Sequence, residues 1–124
     1  MSIAHGTIMG GLSTVPDLDR ALRAYRDVLQ LQLVEQGELD AELTASWDCP
    51  ANAGSRYAVL RPASGAPCWF RLVEQPEHPA YVPNRTYGWA AFECTVEDVW
   101  HWPESLPQDL FTIVGPPKVL ENIE

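Results

Sequence analysis

The stretch PDLDRALRAYRDVLQLQLVEQG, residues 16–37, constrains this chain more than any other. Leu18, Leu22, Tyr25 and Leu29, with Ala21 and Val28 beside them, recur at intervals of three and four, which makes a helix apolar on one face. Asp17 or Pro16 starts it, since a short side-chain oxygen satisfies free amides and proline's fixed φ suits the first turn. Asp19 suits the positive end of the helix dipole. A helix with one apolar face must lie on something, and apolar runs flank it on both sides. IAHGTIMGGLSTV (3–15) is too glycine-rich for a helix and reads as a strand kinked at Gly10-Gly11; LQLVEQGEL (31–39) reads as a second strand.

The rest of the chain repeats this logic. DAELTASWD is a short helix or an irregular edge, and CPANAGS has loop composition. RYAVLRP (56–62) and PCWFRLVEQP (67–76) are strands joined by ASGA into a hairpin, and EHPAYVPNRT (77–86) is a proline-containing linker. YGWAAFECTV (87–96) predicts a fifth strand, EDVWHWPESL (97–106) a short helical turn stopped near Pro103, and LFTIVGPP (110–117) a sixth strand. Setting GLSTVPDLDRAL (11–22) above FECTVEDVWHWP (92–103) aligns Thr14 with Thr95, Val15 with Val96, Asp17 with Asp98 and Leu18 with Val99. The second series restarts the first, which reads as an internal repeat. The expectation is one α+β domain over 1–124: module one at about 3–76, a linker at 77–86, and a partial module two at 87–124.

At 124 residues the chain holds one real core and hardly two independent ones. Its formal charge of −9 opposes a broad phosphate-binding surface, so nucleic acid is not the expected partner. A small anion held by one or two buried bases remains compatible. Cys49, Cys68 and Cys94 lack CxxC spacing and read as reduced thiols in a cytoplasmic protein. MSIAHGTIMGG has no basic n-region, and no run reaches the ~20 apolar residues of a membrane helix, so neither a signal peptide nor a membrane partner is expected. No nucleophile elbow and no phosphate-cradling glycine loop is present.

The run D-L-D-R-A-L-R-A-Y-R-D-V-L, placed after an apolar strand and before a strand-rich half, resembles the βαβββ module of the vicinal oxygen chelate superfamily. That superfamily includes glyoxalases, bleomycin-resistance proteins, fosfomycin-resistance enzymes and extradiol dioxygenases. The matching positions are Asp17, Leu18, Arg20, Ala21, Leu22, Tyr25, Arg26, Val28 and Leu29; Ala24 and Gln30 stand where the family commonly has an aromatic residue and a glycine. The resemblance implies two modules paired into a cupped mixed sheet, with helices outside and a small-molecule cavity inside. It also implies a divalent metal held by His or Glu from four strands and acting as a Lewis acid. Carried over residue by residue, the ligand positions fall on Gly10, Arg71 and Ala91, with a fourth on a last strand that this sequence does not contain. Glycine and alanine offer no ligand atom and a guanidinium repels a cation, so no metal cofactor is expected. A substitute set of His5, Glu74 and Glu93 is the alternative, which a slip at the Gly10-Gly11 kink would have to permit.

If Arg71 and Ala91 face the cup, strand parity brings Trp69 and Val73 with the first, and Trp89, Glu93 and Thr95 with the second; Tyr57 joins from the neighbouring strand. This describes aromatic walls, one fixed cation and one carboxylate. Either Arg71 grips an anionic ligand, or it pairs with Glu93 and closes the space. Two functions lead: a binder of an aromatic or anionic compound, with Arg71, Trp69, Trp89 and Tyr57 as ligand-binding residues, or a metal-independent lyase or isomerase of the same superfamily in which Glu93 moves a proton; a metal-dependent dioxygenase or glyoxalase is the third. An uncovered sheet edge beside apolar residues further predicts a homodimer.

Overall fold

The structure, a computed structural model, describes residues 5–83, 85, 87–88 and 91–121. The chain forms two compact units, Met1–Ala90 and Ala91–Glu124.

The first unit runs β1 (Gly10–Val15), α1 (Leu18–Leu22) continued by π-helical turns at Arg23–Val28, β2 (Gln32–Glu38), α2 (Ala41–Ser46), a 3-10 turn at Pro50–Asn52, β3 (Arg56–Arg61) and β4 (Trp69–Glu74). Asp17 caps α1, its carboxylate accepting from the Arg20 amide at 2.9 Å. Asp40 caps α2 in the same way through the Leu43 amide. In both cases a short carboxylate replaces a carbonyl the first helical turn lacks. Beyond Leu22 the helix widens, and Leu29 donates to the Ala24 carbonyl five residues back. The wider turn carries Ala24, the residue that replaces the family aromatic, into a buried position. Gln30 then ends the helix at φ 60, the left-handed conformation that a glycine adopts without strain.

The four strands form one open mixed sheet in the order β1-β4-β3-β2. β1 lies parallel to β4, and the other pairs are antiparallel. The helix connection carries the chain from one edge to the other, and the β3–β4 hairpin returns it to lie beside β1. Residues paired across strands share a face, so the register sorts the side chains. Ala58, Leu60 and Leu72 face α1 and form the buried core with Leu18 and Leu22; Val15, Ala21, Tyr25, Leu31 and Leu33 pack at its margin. The opposite face carries Leu12 paired with Arg71, Thr14 with Val73, and Val59 with Arg71. A bulge between Leu33 and Glu35 lets Leu33 join the core while Glu35 pairs with Val59 on the other face.

Three sequence expectations are corrected here. β1 begins at Gly10, not near residue 3: His5 and Gly6 form a turn, with Gly6 at φ +89. The cause is the lack of a partner, since β4 starts at Trp69 and the chain before it turns away, Cys68 donating to Ala66. Residues 91–96 of the predicted fifth strand do not form a strand; Trp89 and Ala90 lie outside the described residues. The predicted sixth strand does not form at 110–117 either, where Leu110 and Phe111 both donate to the Pro107 carbonyl. A β-branched apolar run favours extended backbone, yet it becomes a strand only when another backbone satisfies its amides and carbonyls. The second unit instead has a 3-10 turn at Val99–His101, capped by Asp98, and a short helix α3 at Trp102–Ser105.

Candidate ligand cup

The sheet face turned away from α1 is the floor of a cavity of about 430 Å³ within the first unit. β1 and β4 supply Leu12, Thr14, Trp69, Arg71, Val73 and Gln75. The wall comes from the excursion between β2 and β3, which contributes Leu39, Trp47, Cys49 and Asn52. Its neck is clamped by two backbone hydrogen bonds, Leu39 N to Ser55 O and Gly54 N to Leu39 O, so this long connection leaves and rejoins the sheet at one point. Fully buried Thr44 donates to carbonyls of its own helix. Trp47 caps the end of α2, and Asp48 at φ 58 turns the chain so that Cys49 donates back to the Thr44 carbonyl.

Arg71 stands at the centre of this floor. Its guanidinium carbon lies 5.2 Å from the Trp47 ring centroid, 5.5 Å from that of Tyr57 and 5.7 Å from that of Trp69. All three are within cation–π range, where the ring's negative face attracts the cation. The Arg71 Nε is shielded from water and has no hydrogen-bond partner. No ion pair joins Arg71 to a carboxylate among the described residues of the first unit. Tyr57 is oriented from outside: its hydroxyl donates to Glu35 Oε1 at 2.6 Å. That hydrogen bond, then burial, pushes the Tyr57 phenol above its ordinary value, and the Arg71 charge works weakly the other way.

The superfamily's metal finds no set of ligands among the described residues. At the first ligand position, Gly10 faces Trp69 directly: a Cβ built on Gly10 would come within 2.6 Å of Trp69 Cε2, and nearer still to Cδ2 and the Trp69 carbonyl oxygen. Trp69 and its backbone thus occupy the space where a side chain at position 10 would start. At the second position Arg71 offers a cation. Among the described residues no three His, Cys, Asp or Glu come together as a metal set. The residues present do not fit the metal.

The substitute set of His5, Glu74 and Glu93 is also corrected. His5 lies in the turn before β1. Glu74 pairs in register with Val15, on the helix side of the sheet. There its Oε2 accepts from the Leu18 amide at 2.8 Å and from Arg56 Nη1 at 3.4 Å, while Arg56 Nη2 reaches Asp19 Oδ1 at 2.8 Å. Glu74 is engaged in fastening the start of α1 to β4.

The structure therefore brings Arg71, Trp69 and Tyr57 together. Glu93 is exposed in the second unit, and Trp89 lies outside the described residues. Sequence reasoning missed Trp47, Leu12, Thr14 and the Asn52–Gln75 pair. Parity along β1 would have found Leu12 and Thr14, which alternate with the core-facing Val15; Trp47 follows a helix whose position no local pattern predicts. Cys49, Cys68 and Cys94 form no disulfide among the described residues, and no helix among the described residues is long and apolar enough to cross a membrane. Comparison with curated proteins finds no match. The model of the Glyoxalase/Bleomycin resistance protein/Dioxygenase superfamily matches residues 4–120; the chain, with its βαβββ sheet and cupped outer face, belongs to that superfamily.

Proposed function

We propose that the protein is a metal-independent binder of a small aromatic or anionic compound, held in the cup of the first unit with Arg71 as its anchor. The observation that carries this is the state of Arg71. It stands where the resemblance puts a metal ligand, is framed by three aromatic rings, and has no carboxylate partner among the described residues of its unit. A partly desolvated cation is costly unless something neutralises it, and an incoming carboxylate or phenolate does so. The volume suits a ligand of ordinary metabolite size. Turnover by Glu93 draws no support from the cup, whose lining contains no carboxylate. The same reading includes a homodimer: β1 is an edge strand of the four-stranded sheet, and an edge strand offers a row of amides and carbonyls to which a second chain can add.

The test is tryptophan fluorescence with biphenyl-4-carboxylate and its neutral methyl ester, against the native protein and Arg71→Met. Trp47 and Trp69 report binding directly. Quenching by the acid should saturate without product, and Arg71→Met should weaken the acid by ~2–4 kcal/mol, the usual effect of removing one side of a desolvated charge contact. The ester should bind both proteins alike. Equal acid binding by the two proteins would overturn the assignment.

A further inference from the structure

Gln75 and Asn52 stand apart from the rest of the cup. Along β4 the residues facing the cavity are Trp69, Arg71, Val73 and then Gln75. The Gln75 amide donates to the Val15 carbonyl, so the β1–β4 ladder still holds the backbone there. At about 3.3 Å per residue, Gln75 lies ~13 Å along the strand from Arg71, with Val73 between them. Asn52 is fixed independently. It ends the 3-10 turn, donating its amide to Cys49 and accepting from Ser55 through its carbonyl. The two side chains meet at 2.9 Å, Asn52 Nδ2 donating to Gln75 Oε1.

That single bond engages one polar atom of each side chain and leaves the other. An amide side chain carries two donor hydrogens on nitrogen and an acceptor oxygen. With Asn52 Nδ2 and Gln75 Oε1 joined, Asn52 Oδ1 and Gln75 Nε2 have no hydrogen-bond partner among the described residues. One is an acceptor and the other a donor, and they belong to two side chains locked to each other. We infer that the Asn52–Gln75 pair is a second recognition subsite, opposite Arg71, for a carboxamide-like group on the ligand. This rests on the reading of the cup as an anion-binding site and deepens it. The ligand class becomes an elongated organic acid: an anionic end on Arg71, an apolar or aromatic body over Val73 and Leu12 between Trp47 and Leu39, and a far end that both donates and accepts a hydrogen bond. A plain hydrophobic acid would leave the pair hydrated and gain nothing from it.

The experiment compares biphenyl-4-carboxylate with 4′-carbamoylbiphenyl-4-carboxylate, by isothermal titration of the native chain, Gln75→Met and Arg71→Met. Gln75 is exposed at the strand end and methionine keeps its length, so folding is preserved; circular dichroism verifies it. The carboxamide should tighten binding to the native protein about tenfold, the gain of one to two well-made hydrogen bonds. In Gln75→Met that advantage, read as the ratio of the two acids' affinities for the same protein, should fall to less than about twofold. Arg71→Met should weaken both acids and keep their ratio. A carboxamide with no advantage in the native protein, or an advantage that survives Gln75→Met, overturns the subsite while leaving the Arg71 reading intact. Failure of the plain acid to bind, or indifference of both acids to Arg71→Met, overturns that reading and the subsite with it.

Discussion

Gly10 offers the most direct challenge to the account of the metal position, because adding one methyl group there tests it. A Cβ at this residue would lie 2.6 Å from Trp69 Cε2, whereas non-bonded carbons settle at about 3.5–4.0 Å. Roughly 1 Å must therefore be found by moving the indole, the β1–β4 pairing or both. Overpacking of this kind costs ~1–3 kcal/mol, against which alanine recovers ~0.5–1 kcal/mol of the backbone entropy that glycine loses in a strand. Gly10→Ala should thus be destabilised by ~1–2 kcal/mol, read as a lower urea midpoint with an unchanged slope. The clash has two parts, the movable indole and the Trp69 carbonyl, which no side-chain substitution removes. In a double-mutant cycle with Trp69→Val the coupling should therefore be real but partial, about 1 kcal/mol of rescue. Gly10→His, which restores a ligand residue type, should be destabilised further and take up no zinc in equilibrium dialysis. Gly10→Ala as stable as the native chain, or strict additivity with Trp69→Val, would refute the claim that Trp69 fills this position.

Two further outcomes concern the rim and the edge. Because the folded protein holds the Tyr57 proton more tightly than the unfolded chain does, the stability this contributes is complete below pH 10.0 and is lost as pH rises through the higher folded-state value; urea melts across that alkaline range should slope downward, Tyr57→Phe should flatten the slope, and equal slopes would refute the sign. The bonds from Trp69 N to Met9 O and from Gln75 N to Val15 O show that odd-numbered residues of β1 face β4, so the amides of Leu12 and Thr14 face outward. Light scattering at micromolar concentration should report a dimer that Thr14→Pro, which deletes an outward amide, converts to a folded monomer; a native monomer would end the dimer proposal.

Much of the first unit could be read from the residues because its signals are local and agree with one another. The three-and-four spacing from Leu18 to Tyr25, the cap at Asp17 and the hairpin around ASGA each report a choice made within a few residues. Alternation along WFRLVE put Trp69 and Arg71 on one face and Leu72 on the other, as the register has it. Trp47 was hidden because its place depends on a loop closure that no local pattern reports, the neck formed by Leu39 with Gly54 and Ser55. The second unit misled for a related reason. FECTV and LFTIV carry strand composition, but composition cannot supply the neighbouring backbone on which a strand depends.

The exchange at position 71 also has a consequence for how ligand chemistry and protein charge fit together. A divalent ion about 4 Å from a guanidinium would be repelled by ~8 kcal/mol at an effective dielectric of ~20, so Arg71 and a metal are alternatives. With arginine in that place, the cup keeps a positive centre but changes what it can do. A metal draws electrons from a bound oxygen and opens coordination positions to a reactant; a guanidinium only orients an anion through its hydrogens. The chain's net charge of −9 makes this centre more selective. At distances beyond a Debye length of ~8 Å salt screens the overall repulsion of an anion, while inside the cup Trp47, Tyr57 and Trp69 crowd a half-buried Arg71 whose Nε is shielded from water. Attraction is therefore confined to a ligand whose shape brings its charge to the floor. A compact inorganic anion gains little contact with the rings, whereas a flat organic acid gains both the charge contact and the aromatic surface.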